Sequence, residues 1–183
     1  ILTFDDLTNK LGLGKRIIYL LSKENEKYYK KTQKTKKNGG IREILIPHYS
    51  LKLTQKWILT EILEKIDTSN ESMAFKKGSA FGTKSNAERH KYNLYVLKLD
   101  FKDFFTSIKE EKIFFLFKKI GYSNLLARIF TNICTYQGYL PQGAVTSPCL
   151  SNLVCMDFDR TISAICNNKE VTYTRYADDL IFS

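Results

Sequence analysis

Val171-Thr172-Tyr173-Thr174-Arg175-Tyr176-Ala177-Asp178-Asp179-Leu180-Ile181-Phe182-Ser183 reads as two short strands folded back about a tight tip. Valine, threonine, tyrosine, isoleucine and phenylalanine suit a pleated, half-buried surface. Ala177-Asp178-Asp179 between the runs is short and polar, as a hairpin tip requires. Upstream, Tyr95 to Phe101 (Tyr-Val-Leu-Lys-Leu-Asp-Phe) is a further strand with Asp100 near its end. A strand closing on one acid, beside a hairpin tipped by two, brings three carboxylates to one end of a small sheet. Such a cluster is costly unless a cation cancels it. Mg²⁺ prefers carboxylate and phosphate oxygens. Taken alone, Asp-Asp in a turn is more often a plain turn, because aspartate suits turns.

Working outward, helices alternate with these strands. The first 25 residues read as helical, with Ile17, Ile18, Leu20 and Leu21 as apolar anchors. Strands at 28–33 and 41–46 flank Lys36-Lys37-Asn38-Gly39-Gly40, a good turn, and Pro47 ends the second. Ser50 fits the cap of a helix to about Ile66, with Trp57 in the core. Residues 67–91 are polar and look like loops around short elements. Ser107 with Glu110 matches a capping box for a helix to Ile120, stopped by Gly121. Another helix runs from about Ser123 to Tyr136. Ser147-Pro148 opens one that continues to about Cys166, with Leu150, Val154, Phe158, Ile162 and Ile165 near one face. The order from Tyr95 to Ser183 is strand, helices, hairpin. It predicts an α+β fold: a small antiparallel sheet backed by helices, with a basic hairpin ahead of it.

Composition narrows the partners. The 183 residues are 43% hydrophobic and 26% charged, which is a folding composition. Lysine and arginine number 29 against 19 acids, a net charge of +10, and that excess favours an anionic partner, nucleic acid first. From Lys23 to Arg42 there are eight basic residues against two acidic ones. A lysine run is often only a solvated face; on a hairpin of a basic chain it reads as a phosphate contact. Cys134, Cys149, Cys155 and Cys166 form no Cys-x-x-Cys pair and the two histidines lie far from them, so a zinc finger is poorly supported. No apolar run reaches the length needed to span a membrane. The chain begins at Ile1 and ends at Ser183 inside an apolar run, and so reads as a piece of something longer.

Tyr176-Ala177-Asp178-Asp179, with Arg175 before and Leu180 after, resembles the catalytic box of reverse transcriptases. Leu99-Asp100-Phe101-Lys102-Asp103-Phe104-Phe105-Thr106-Ser107-Ile108 resembles their first palm motif. Leu140-Pro141-Gln142-Gly143-Ala144, then Ser147-Pro148, Leu150 and Ser151-Asn152, resembles their second. With the hairpin of Gly39-Gly40-Ile41-Arg42 closed by Pro47, these boxes stand in the family's order and cover nearly the whole chain. Asn86, Ala87 and His90 resemble the Asn-Ala-x-x-His element of retron enzymes. Val145 departs from the proline common in bacterial relatives, and Phe101 from a common aliphatic.

The resemblance implies a right-hand polymerase fold. Residues 1–92 would be fingers, with the basic hairpin at about 28–46. Residues 93–183 would be palm, incomplete at the C-terminus and including fingers helices at about 109–136, with the thumb missing. It implies RNA-directed DNA synthesis with two Mg²⁺ ions, Mn²⁺ being a substitute. Asp100, Asp178, Asp179 and the backbone carbonyl of Phe101 would hold the metal. Arg42, Asp103, Phe104, Phe105 and Gln142 would bind nucleotide, with Phe105 the ring that rejects a ribose hydroxyl unless it is ordinary core. Lys31, Lys36, Lys37 and Arg175 would touch nucleic acid, although Arg175 has the alternative of pairing within the palm. His90 has the alternative of simply packing its loop. The implied partners are a structured non-coding RNA template, deoxynucleoside triphosphates, the RNA–DNA hybrid product and an accessory effector protein, in the cytoplasm and not at a membrane. A group II intron-like or abortive-infection enzyme, and an inert RNA-binding palm, are the competing readings; Asn86, Ala87 and His90 favour the retron type, and the intact carboxylates speak against an inert module.

Overall fold

A computed structural model describes residues 3–35 and 39–183. In chain order its elements are α1 (Phe4–Leu11), α2 (Lys15–Lys23), β1 (Tyr29–Thr35), β2 (Ile41–Pro47), α3 (Tyr49–Glu61), α4 (Thr83–His90) and β3 (Leu97–Asp100). There follow α5 (Phe104–Ser107), α6 (Glu110–Ile120), α7 (Asn124–Cys134), α8 (Ser147–Val154), α9 (Met156–Asn167), β4 (Tyr173–Tyr176) and β5 (Asp179–Phe182). The fold is α+β, with two small antiparallel sheets backed by helices. Two compact units share it. One comprises Ile1–Lys65 with Phe105–Ser147, the other Ile66–Phe104 with Pro148–Ser183. Each is assembled from two stretches of chain.

The first unit is organised around α7. Leu126, Ala127, Phe130, Ile133 and Cys134 recur at helical spacing and are all buried. Phe130 packs its ring on Phe117 of α6 and on Tyr122, with centroids 5.3 and 5.0 Å apart. Gln55 of α3 is a buried amide with every polar atom used. Its Nε2 donates to the Tyr29 hydroxyl (2.7 Å) and the Ile133 carbonyl (2.9 Å), and its Oε1 accepts from the Val145 amide (3.4 Å). One side chain thereby ties the β1–β2 hairpin, α7 and the loop before α8. β1 and β2 pair antiparallel from Tyr29 opposite Pro47 to Thr35 opposite Ile41.

The second unit carries a three-stranded sheet in the order β3-β5-β4. Cys166, Tyr173 and Leu180 form its buried cluster, with Phe101, Ile162, Val171 and Phe182 packed against it. β4 is covered on its outer edge by residues 71–73: the Arg175 amide donates to the Glu71 carbonyl and the Met73 amide to the Arg175 carbonyl, both 2.8 Å. β3 is the other edge, and its Leu97 and Leu99 are exposed.

Several elements differ from the sequence reading for identifiable reasons. Helix α3 begins at Tyr49, so His48 and not Ser50 holds the cap position. Ser107 ends the short α5 and does not cap α6. The Glu110 amide donates to the Gly138 carbonyl, so a backbone bond to a residue distant in sequence replaces the predicted capping box. The long helix from Ser147 breaks at Cys155, and α9 buries Asp159 and Cys166 while Ile165 is exposed and Phe158 is only partly covered, by the Phe101 ring. A break resets helical phase, and a stripe read through it lands on the wrong residues. Ile17 is exposed, while Ile18 and Leu21 are buried. Trp57 is half-buried.

Gly143 marks a close approach of two backbones. The Leu45 amide of β2 donates to the Gln142 carbonyl at 2.7 Å. Gly143 has φ +117°, and a Cβ there would lie 2.5 Å from the Leu45 carbonyl oxygen. Both the dihedral and the contact demand glycine. Gly143→Ala is expected to cost about 1–3 kcal/mol in urea unfolding; an unmoved midpoint would contradict this packing.

Candidate active site

Strand register brings the three aspartates to one end of the sheet. β3 pairs antiparallel with β5 so that Asp100 stands opposite Asp179, and β4 pairs with β5 so that Tyr176 also stands opposite Asp179. Ala177 and Asp178 form the two-residue tip between β4 and β5. The Phe101 amide donates to the Asp178 carbonyl at 2.9 Å, tying the end of β3 to the tip. Asp100, Asp178 and Asp179 thus sit at one end of one sheet. The Asp179 carboxylate is 2.8 Å from Lys98 Nζ, two residues before Asp100 on β3. That hydrogen-bonded partner holds the Lys98 ammonium above the usual lysine range. In kind, three carboxylates at a sheet end fit a hard divalent cation. Among the described residues, no group of three acidic, histidine or cysteine side chains is close enough to enclose an ion; here Lys98 supplies positive charge at Asp179.

The tip is strained and held from beneath. Ala177 has φ +58°, a left-handed conformation that non-glycine residues seldom adopt. Nη1 of Arg175 donates to the Ala177 carbonyl at 3.1 Å. The same guanidinium grips Asp159 of α9 with Nε to Oδ1 (2.8 Å) and Nη2 to Oδ2 (2.7 Å), and Nη1 also reaches Asn152 Oδ1 of α8 (3.1 Å). Arg175 and Asp159 are both 0% exposed. Burial opposes the Arg175 charge, but the Asp159 carboxylate outweighs it and the pKa stands above its ordinary value. Burial, then the Asp159 charge, push the Tyr173 phenol up; its hydroxyl donates to Asp159 Oδ1 at 2.9 Å. The sequence offers Arg175 as a nucleic-acid contact or a partner within the palm. A guanidinium with no exposed surface, satisfied by a carboxylate, an amide and a carbonyl, is not offered to phosphate. The internal pairing is what forms.

Asn86 and His90 lie four apart on one face of α4 and are buried, while Ala87 is exposed. They clamp the far side of the same sheet. Thr174 Oγ1 of β4 donates to Asn86 Oδ1 at 2.6 Å, and His90 Nε2 lies 2.7 Å from that Oγ1. A hydroxyl has one proton, so Thr174 must accept from His90, and Nε2 carries the hydrogen. His90 Nδ1 is then the acceptor, 2.6 Å from Ser183 Oγ, and Ser183 accepts from Asn93 Nδ2 at 2.6 Å. With the imidazole neutral, the chain of bonds runs one way, from Asn93 through Ser183, His90 and Thr174 to Asn86. Burial, then the neighbouring Arg89 charge, lower the His90 pKa.

The nucleotide candidates divide between the units. In the first, Arg42 is exposed on β2, three residues before Leu45, whose amide meets the Gln142 carbonyl; one strand thus carries the first and positions the second. Phe105 belongs to the same unit and is half-buried. In the second, Asp103 has φ +52° and is exposed, and Phe104 is buried with its ring stacked on Phe101, centroids 5.6 Å apart. The Phe104 ring is therefore core, and the role the resemblance implies for this residue is one of its backbone. Lys31 lies 3.7 Å from Glu43 and over the Tyr136 ring. Lys36 and Lys37 lie outside the described residues. The sequence reading overlooked Lys98 and Asp159. For Asp159 a signal existed: it stands four residues after Cys155 and seven before Cys166, an acid within an apolar stripe.

A family model for reverse transcriptase (RNA-dependent DNA polymerase) matches residues 30–183. The chain belongs to that family. Its relatives are of the retron type. It is 39% identical over 143 residues to the retron Ec86 reverse transcriptase of Escherichia coli, covering 78% of this chain and 44% of that protein. It is 35% identical over 168 residues to the Escherichia coli retron Ec73 enzyme (84% and 52%), and 34% over 166 to the Myxococcus xanthus retron Mx162 enzyme (81% and 34%). The chain spans a third to a half of the length of these relatives. No helix among the described residues is long and apolar enough to cross a membrane.

The His90 network has a pH signature. The folded pKa lies below the ordinary 6.5, so His90 favours folding fully above about pH 6.5, and that contribution is lost as pH falls through the folded pKa. His90→Gln, which hydrogen-bonds without titrating in this range, is expected to flatten the loss of stability between pH 7.5 and 5 in urea unfolding. Equal pH slopes for the two proteins would refute the assignment.

Proposed function

We propose that this chain carries the nucleotidyl-transfer site of an RNA-directed DNA polymerase that makes retron single-stranded DNA from a structured RNA in the cytoplasm. The observation that carries the reading is the register of β3 against β5, which sets Asp100 beside Asp179 with Asp178 on the adjoining tip. Asp100 and Asp178 would be the principal metal ligands, with the Phe101 carbonyl and Asp179 at their flanks. Two Mg²⁺ ions held there would supply Lewis acidity toward the attacking hydroxyl and the leaving pyrophosphate. The chain's own part is to fix the carboxylate oxygens in place, a positioning effect worth orders of magnitude in rate. Lys98 would hold Asp179 while the site awaits substrate, its exposed ammonium being displaceable.

Arg42 offers a planar, two-pronged donor for a triphosphate, and its neighbours on β2 set the Gln142 backbone in reach of the same strand. Asp103 and the backbone at Phe104 would lie along the triphosphate. The net charge of +10 and the exposed lysines of β1, Lys31 among them, favour a nucleic-acid backbone as the partner surface. Phe105 would be the sugar gate, since its neighbour Phe104 is the one committed to the core. The retron relatives, and the use of Asn86 and His90 to brace the sheet, favour the retron type over an intron-like enzyme.

Primer extension with the full chain, an RNA template and Mg²⁺ tests both roles. Asp178→Ala is expected to abolish DNA synthesis with RNA binding unchanged; synthesis within about tenfold of the parent would remove Asp178 from the chemistry. Phe105→Ala is expected to raise ribonucleotide use relative to deoxynucleotide. A lowered melting temperature with an unchanged sugar ratio would make Phe105 ordinary core.

A further inference from the structure

We propose that Arg175 is a positioning residue for the reaction: anchored by Asp159 and Asn152, its guanidinium holds the Ala177 carbonyl and thereby sets the aim of the Asp178 carboxylate. This inference rests on the reading of Asp178 as a metal-holding group.

Four of the five N–H donors of Arg175 have named acceptors, and they divide by purpose. Two go to Asp159, one bond to each carboxylate oxygen, which fixes the plane of the guanidinium relative to α9. The Nη1 group bonds Asn152 Oδ1 and the Ala177 carbonyl, each at 3.1 Å. Asn152 is itself fixed: its Oδ1 accepts from Ser72 Oγ at 2.8 Å and its Nδ2 donates to the Ala74 carbonyl at 2.9 Å. Asp159 is held also by the Tyr173 hydroxyl. The backbone of Arg175 is tied on both sides to Glu71 and Met73. Every atom from which the guanidinium hangs is thus secured, and the one contact that leads toward the carboxylates is the bond to Ala177.

That bond falls where the chain is least content. Ala177 is left-handed without being glycine, and it immediately precedes Asp178. The peptide between them carries the carbonyl that Arg175 holds, so rotation of this peptide would swing Asp178 away from Asp100. From the other side, the Phe101 amide holds the Asp178 carbonyl. The two peptide groups flanking the Asp178 Cα are therefore each gripped by a fixed donor. A buried ion pair that served packing alone would have no need of the Ala177 contact.

Two variants of the full chain test this. Arg175→Lys keeps the charge opposite Asp159 but lacks the fork that spans Asp159 and Ala177. Arg175→Met with Asp159→Leu removes both buried charges together and leaves neither orphaned. Each is measured for melting temperature, for kcat and deoxynucleotide KM in primer extension, and for the Mg²⁺ concentration giving half-maximal rate. The expected result is a folded variant with kcat lowered about 30- to 100-fold, a size typical of misplaced groups. KM should stay within about threefold and the Mg²⁺ requirement should rise. Parental kcat in a folded variant overturns the proposal. So does a loss in which kcat, KM and melting temperature decline together, or a failure of both variants to fold, since the pair then serves the fold alone. Asp178→Asn is run beside them. If it synthesises DNA at the parental rate, the reading of Asp178 has failed; if it is inactive while Arg175→Lys is at parental kcat, only the positioning role has failed.

Discussion

The antiparallel pairing that sets Asp100 opposite Asp179 is the constraint on which the rest of the second unit depends. Side chains alternate along a strand, so a slip of one residue would turn the acids to the opposite face. β5 lies between β3 and β4 and fixes both registers at once. The apolar cluster of Cys166, Tyr173 and Leu180 supplies burial but little uniqueness, because apolar contacts tolerate sliding. Uniqueness comes from polar groups with directed partners. His90 and Asn86 recognise Thr174, and Arg175 recognises Asp159, each from a different helix.

This division of labour explains why so many polar side chains lie behind an acidic site. Buried hydrogen-bond networks rigidify when every member is satisfied and are expensive when one is not. The Arg175–Asp159 pair illustrates both sides. Removing one partner of such a pair costs about 3–5 kcal/mol, because a charge is left buried and alone. The left-handed Ala177 adds a local cost of about 1–2 kcal/mol. The surroundings absorb these costs, and what they secure is the direction of one carboxylate. In the first unit Gln55 plays a comparable part for the hairpin and the Gln142 loop, with a neutral amide in place of an ion pair.

The hairpin and the three acids were legible in the sequence because strand patterning and turn chemistry are local. Tyr173 to Phe182 alternates and turns within ten residues, so nothing distant is needed to read it. The motif order identified the family for the same reason. What escaped were features decided by distant partners. Ser107 looks like a helix cap until the Gly138 carbonyl takes the Glu110 amide. Asp159 stands within an apolar stripe, but its partner, an arginine sixteen residues on, is set only by the fold. Arg175 itself could be read either way from sequence. A charge with tyrosines at 173 and 176 fits a nucleic-acid surface as well as a buried pair, and only the position of its counter-ion decides. His90 was legible as a marker of the retron type; its direction of hydrogen bonding emerged only with Thr174, Ser183 and Asn93 around it.

The central claim is that one end of the β3-β5-β4 sheet is a carboxylate site for a divalent cation. Anomalous diffraction from crystals of the full chain grown with Mn²⁺ and a non-incorporable deoxynucleotide analogue tests it most directly. The account predicts a manganese peak between the Asp100 and Asp178 carboxylates, with Lys98 displaced from Asp179. Manganese bound elsewhere, with Asp100 and Asp178 both turned away from it and the Lys98–Asp179 pair intact, would contradict it.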